Sequence, residues 1–124
     1  MKLSPSEEQL MQHLWMLERG PMKDLINMYP EPKPAVTTIA TLLKRMRDKG
    51  YIDYKEVGRA REYFPLVKKG DYFQKHVKGL IRNFFGNSTS QFASFFTQSS
   101  DLTEKELKDL RAIIDQELEK KRQS

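Results

Sequence analysis

Ala35-Val36-Thr37-Thr38-Ile39-Ala40-Thr41-Leu42-Leu43-Lys44-Arg45-Met46 is the stretch that decides the fold of this chain. On a helical period Ile39, Leu42, Leu43 and Met46 stand at i, i+3, i+4 and i+7, an apolar stripe that has to pack against a core. Thr38, Thr41, Lys44 and Arg45 lie off that stripe. Short hydroxyls beside long cations, with an apolar face behind, make a helix that the major groove of duplex DNA accepts. An ordinary surface helix with a solvated polar face carries the same pattern. The segment alone leaves both readings open, and its neighbours separate them.

Downstream, the helix predicted over residues 35–49 runs through Arg47-Asp48-Lys49 into Gly50, with cations in its last turn and glycine beyond it. Tyr51-Ile52-Asp53-Tyr54-Lys55-Glu56-Val57 then alternates in the manner of a strand. After Gly58-Arg59-Ala60-Arg61, Glu62-Tyr63-Phe64-Pro65-Leu66-Val67 restores strand-favouring residues. The pattern predicts a β-hairpin over 52–67, with Pro65 limiting the second strand to an edge and Arg59 and Arg61 at the tip. A helix, a tight stop and a hairpin with a basic tip form the winged variant of the helix-turn-helix.

The charge falls on the same segments. The chain has 124 residues and a net charge of +5; Lys33 to Lys69 holds ten Lys/Arg against four Asp/Glu, so all of the excess lies there. Such a footprint suits phosphates, although a basic patch attracts any polyanion, an acidic protein partner included.

Upstream, Ser4-Pro5-Ser6-Glu7 predicts a helix start, with Ser4 as cap, Pro5 in the first turn and Glu7 completing a capping box. Leu10, Met11, Leu14 and Trp15 form its buried stripe, Leu17 stands at the edge, and Gly20-Pro21 ends it. A short second helix covers Met22 to Met28. The alternate prolines of Tyr29-Pro30-Glu31-Pro32-Lys33-Pro34 forbid a helix before residue 35. The expected fold class is therefore mainly α with a small β-hairpin: a winged helix-turn-helix domain over residues 1–70.

Residues 71–124 read differently, as a helical dimerisation region. Asp71 is the expected cap of a fourth helix, Ser88 opens a fifth, and Thr103 with Glu106 makes a capping box for the last. The region gathers Phe84, Phe85, Phe92, Phe95 and Phe96, while Leu107, Leu110 and Ile114 continue a near-heptad seam. A monomer this small struggles to cover so much apolar surface. These eight residues are the expected dimerisation surface, with a self-contained core or a small-molecule pocket among the phenylalanines as alternatives.

Other chemistry is not indicated. The sequence has no cysteine, which excludes disulfides, thiolate metal sites and Cys nucleophiles. It has no phosphate loop, dinucleotide glycine pattern or metal-ligand spacing, and His13 and His76 sit inside helices with no catalytic setting. No cofactor and no enzymatic activity are expected. Apolar runs are too short for a transmembrane span, and no signal-peptide pattern is evident, so a cytoplasmic protein without a membrane partner is expected.

Several of these residues together resemble the penicillinase-repressor family of winged-helix regulators, over nearly the whole chain. The likeness lies in Leu3-Ser4 with Glu7 through Trp15, Gly20-Pro21, Thr38 through Met46 with Lys49-Gly50, and Gly58-Arg59 with Tyr63 through Val67. Phe84-Phe85-Gly86 and the Leu102-Thr103 helix start complete it. The resemblance implies a dimeric repressor that binds a palindromic operator through its winged helix and pairs through its C-terminal helices. The β-lactam-responsive members of that family are cut at an Asn-Phe bond; the corresponding pair here is Phe95-Phe96. The copper-responsive members carry a Cys-x-Cys motif that this sequence lacks, so neither inducing signal carries over and an upstream sensor or protease stays unnamed. Met22 stands where a Ser or Thr cap of the second helix is the usual residue.

The expected DNA-binding set is Thr38, Thr41 and Arg45 toward bases, Lys44 and Arg47 toward phosphates, and Arg59 and Arg61 on the wing. A two-fold dimer then seeks half-sites about one helical turn, roughly 34–36 Å, apart. The rival function is a winged-helix module that docks an acidic protein.

Overall fold

The computed structural model describes residues 2–124. Its elements run α1 (Pro5–Leu17), α2 (Met22–Asn27), α3 (Val36–Asp48), β1 (Ile52–Val57), β2 (Ala60–Pro65), α4 (Lys69–Phe84), α5 (Thr89–Ser99) and α6 (Glu104–Gln123). The chain divides into two compact units, one ending at Gln74 and the other starting at Lys75.

The first unit is a winged helix. Ser4 Oγ accepts from the Glu7 backbone N–H at 3.2 Å, and the Glu7 carboxylate accepts from the Ser4 N–H at 2.8 Å, closing the capping box of α1. Leu10, Met11 and Leu14 are buried on its inner face and meet Leu25 of α2 and Ile39, Leu43 and Met46 of α3. Trp15 is only half-buried, contrary to the expected stripe. Its indole N–H donates to the Val67 carbonyl at 2.9 Å, so a polar tip that needs a partner keeps the ring at the edge of the core. His13 packs edge-on against Tyr29 at 4.4 Å between centroids, which gives it a structural place.

The strands pair antiparallel from Ile52↔Pro65 to Val57↔Ala60, leaving a two-residue turn of Gly58 and Arg59. Gly58 sits at φ 62°, the left-handed backbone that such turns need. Arg61 is therefore not at the tip. It lies in β2 opposite Glu56, and the two-residue period puts it on the same face as Tyr63 and Tyr54. Gly20 exchanges backbone hydrogen bonds with Tyr63 at 3.0 and 2.7 Å and fastens the α1–α2 connection along β2. A Cβ there would meet the end of the Leu17 side chain at 2.6 Å, so a larger residue would require Leu17 to shift.

Helix α4 begins at Lys69, two residues before the expected cap, so Asp71 lies within the first turn instead. Tyr72 explains the early start: it is buried, meets Trp15 at 5.7 Å, and donates from its hydroxyl to Glu8 at 2.8 Å. The first turns of α4 thereby belong to the winged-helix core.

The second unit has regular helices without a core. Ser88 caps α5, and Thr103 with Glu106 forms the capping box of α6. Phe85 meets Phe92 and Phe95 at 5.5 Å each, and Phe92 meets Phe96 at 6.3 Å. No described side chain from Lys75 onward is buried.

Candidate nucleic-acid interface

Helix α3 turns 100° per residue, and its buried positions Ile39, Leu43 and Met46 fix its orientation. Directly opposite stand Thr37, Thr41 and Asp48, all exposed. Ala40, Lys44 and Arg47 turn toward the hairpin, whereas Thr38 and Arg45 occupy the far flank. The seven expected residues are thus split by α3 itself: Lys44, Arg47, Arg59 and Arg61 come together, Thr41 crowns the helix, and Thr38 and Arg45 face away from the wing.

The gathering place is a groove of about 700 Å³ between the start of α2, α3 and the wing. Lys23, Lys44, Arg47, Arg59 and Arg61 line it, with Met22, Ala40 and Tyr54 among the uncharged residues and no carboxylate in the lining. Five cations around one concave surface without an acid is a strong local positive potential. Lys44, Arg45 and Arg59 form no ion pair among the described residues, which leaves their donors to solvent or a ligand.

Two arginines are held more firmly. Arg47 Nε bonds Asp53 Oδ1 at 2.9 Å, and its guanidinium carbon lies 4.5 Å from the Tyr54 ring centroid. The Arg61 guanidinium lies 4.3 Å from the same centroid. The Asp53 carboxyl is held below its ordinary range by the Tyr54 backbone N–H and then by Arg47. The Asp53 hydrogen bond raises Arg47, and the Tyr63 side chain raises Arg61.

Other charges in the basic segment are spent inside the fold. Lys49 Nζ bonds the Glu7 carboxylate at 2.7 Å and the Lys2 carbonyl at 3.2 Å. Lys33 Nζ bonds the Asn27 carbonyl at 2.9 Å and the Tyr29 carbonyl, closing the end of α2. The Thr41 hydroxyl donates to the Thr37 carbonyl one turn earlier at 2.9 Å, which leaves its methyl and lone pairs for an outside partner.

Sequence reasoning missed Lys23, Thr37 and Tyr54. Thr37 follows from the wheel once the buried positions are known. Lys23 enters the groove only because α2 starts at its mouth. Tyr54 had a signal in the strand alternation, which placed it on the face of Ile52 but not beneath two arginines.

The model of the penicillinase repressor family matches residues 3–116 of this winged-helix chain. The chain belongs to the penicillinase repressor family. Its relatives include the methicillin resistance regulatory protein MecI of Staphylococcus aureus strain N315, 27% identical over 114 residues that cover 91% of this chain and 93% of the relative. MecI of Mammaliicoccus sciuri is 26% identical over the same shares. The penicillinase repressor of Bacillus licheniformis is 20% identical over 98% of this chain and 96% of its own. As a member of the penicillinase repressor family the chain is a transcription regulator, and the relatives are named as regulators and repressors rather than enzymes. No described helix is long and apolar enough to cross a membrane. No group of His, Cys, Asp and Glu among the described residues is arranged to hold a metal.

Proposed function

We propose that this member of the family is a homodimeric repressor that binds a palindromic operator. Helix α3 enters the major groove and the wing lies against the backbone beside it. The observation that carries this reading is the groove lined by five cations and no acid, drawn from α2, α3 and the hairpin. Only a polyanion large enough to touch all of these elements uses such a surface fully, and duplex DNA is one. The exposed threonine-bearing face of α3 lies beside the groove, where base edges would stand. Lys44, Arg47, Arg59 and Arg61 hold phosphates. Thr37 and Thr41 face base edges, and Thr38 and Arg45 reach the opposite strand. The second unit supplies the partner surface: Phe84, Phe95 and Ile114 are 76%, 57% and 64% exposed, apolar surface that a second copy would cover.

The test is a titration of the full chain with the DNA upstream of its own gene and with random duplex, each at two salt concentrations. Tighter binding of the upstream DNA at both, with affinity falling steeply as salt rises, supports the reading. Equal affinity for both duplexes refutes sequence-specific repression of its own gene, and no binding even at low salt refutes the DNA interface.

A further inference from the structure

Arg47 and Arg61 arrive in the groove from different elements, α3 and β2, and meet on one ring. Both guanidiniums lie within 4.5 Å of the Tyr54 centroid. Like charges brought this close repel, so something has to hold them. On one side Asp53 anchors Arg47; on the other Arg61 lies over the Tyr54 ring from β2. Tyr54 packs beside its cross-strand partner Tyr63, 5.5 Å away, and its backbone N–H bonds Asp53 at 2.8 Å. Tyr54 is half-buried while both arginines are exposed, so the charges are open to solvent.

We propose that Tyr54 is a positioning residue of the nucleic-acid interface, its ring holding Arg47 and Arg61 as a preformed pair that grips the phosphate backbone between recognition helix and wing. The inference rests on the DNA-binding reading above and names how that site is organised. Arginine stacks on an aromatic face through its planar, weakly hydrated guanidinium while its edge donors stay free for phosphate oxygens. A flexible side chain ordered before it meets its ligand loses less entropy on binding. Tyr54 thus contributes affinity without touching DNA.

The test measures affinity of the full chain for a random-sequence duplex at low salt by fluorescence anisotropy. Tyr54→Leu keeps every charge and should weaken binding about tenfold, whereas Tyr54→Phe should retain nearly all of it. In an Arg47→Ala/Arg61→Ala background Tyr54→Leu should cost nothing more, because its effect passes through those arginines. An equal loss in that background, or no loss in the parent, overturns the proposal. Should Tyr54→Leu fail to fold, as circular dichroism would reveal, Arg47→Lys/Arg61→Lys carries the test. That pair keeps the charge, lacks the stacking plane and should also lose about tenfold; unchanged affinity overturns the proposal. Absence of any DNA binding by the parent protein overturns the DNA reading and this inference together, a result distinct from a parent that binds and a Tyr54→Leu variant that binds equally well.

Discussion

Glu7 and Lys49 show how one residue takes on a role the sequence does not announce. Glu7 is 2% exposed, and its partner Lys49 comes from the end of α3. Burial pushes the Glu7 carboxyl up, but the Lys49 ammonium and the Ser4 donors outweigh it and hold the group below its ordinary 4.5. A carboxyl depressed in the folded state stabilises above its unfolded value and gives that stability up as pH falls through the folded one. Stability to urea should therefore decline below pH 4.5, and Glu7→Gln should flatten that decline. Lys49→Met leaves the buried carboxylate without its cation and should cost roughly 2–4 kcal/mol at neutral pH, toward the lower end of the buried-pair range because Lys49 keeps part of its surface in water. The capping box was legible because Ser4 and Glu7 are three residues apart. The ion pair was not, since it joins positions 42 residues apart. Thr41 poses a related question. Its hydroxyl is spent on Thr37, so Thr41→Val, which keeps the methyl, should preserve the preference for operator over random duplex. Thr41→Ala should reduce it. Equal losses in the two variants would assign the reading to the hydroxyl.

At the scale of elements, helix α3 was the best-read part of the chain. Proline exclusion fixed its start, Gly50 at φ 83° its stop, and the apolar period its inner face. A Gly50→Ala variant forces a side chain into left-handed backbone and should lower stability by about 1 kcal/mol. The wing was legible as a hairpin but not in its register. Alternation does not say which residues form the turn, and Arg61 moved from the expected tip into β2 once Val57 paired with Ala60. This matters for its role. Arg61 lines the groove, so Arg61→Ala should lower affinity on every sequence and flatten the salt slope by about 0.9 for each phosphate the arginine neutralises. An unchanged slope would mean that Arg61 does not pair with the DNA backbone. The start of α4 was misplaced for a comparable reason. Asp71 is a good cap by type, but burying Tyr72 against Trp15 carries the helix back to Lys69.

Across the whole molecule, the contrast between the two units supports the dimeric part of the proposal. The first unit buries its apolar stripes in a continuous core, whereas the second buries none of its described side chains although its helices are regular and well capped. Helices this rich in exposed phenylalanine and isoleucine gain most of their stability from packing, which a second copy can supply. Sedimentation should find the full chain as a dimer. Ile114→Glu or Phe95→Glu should shift it toward monomer and weaken operator binding more than random-duplex binding, since only the operator rewards two linked heads. A monomeric parent protein would contradict this. The excess of phenylalanine signalled a region rich in exposed apolar side chains; the occupant of that surface depends on a partner that one sequence does not specify. Selection of bound sites from a random duplex pool by the full chain is the sharpest test of whether it binds DNA as a two-fold dimer. The expected result is enrichment of an inverted repeat whose half-site centres lie about one helical turn, roughly 34–36 Å, apart. Enrichment of a lone unrepeated site, or of no sequence at all, would contradict it.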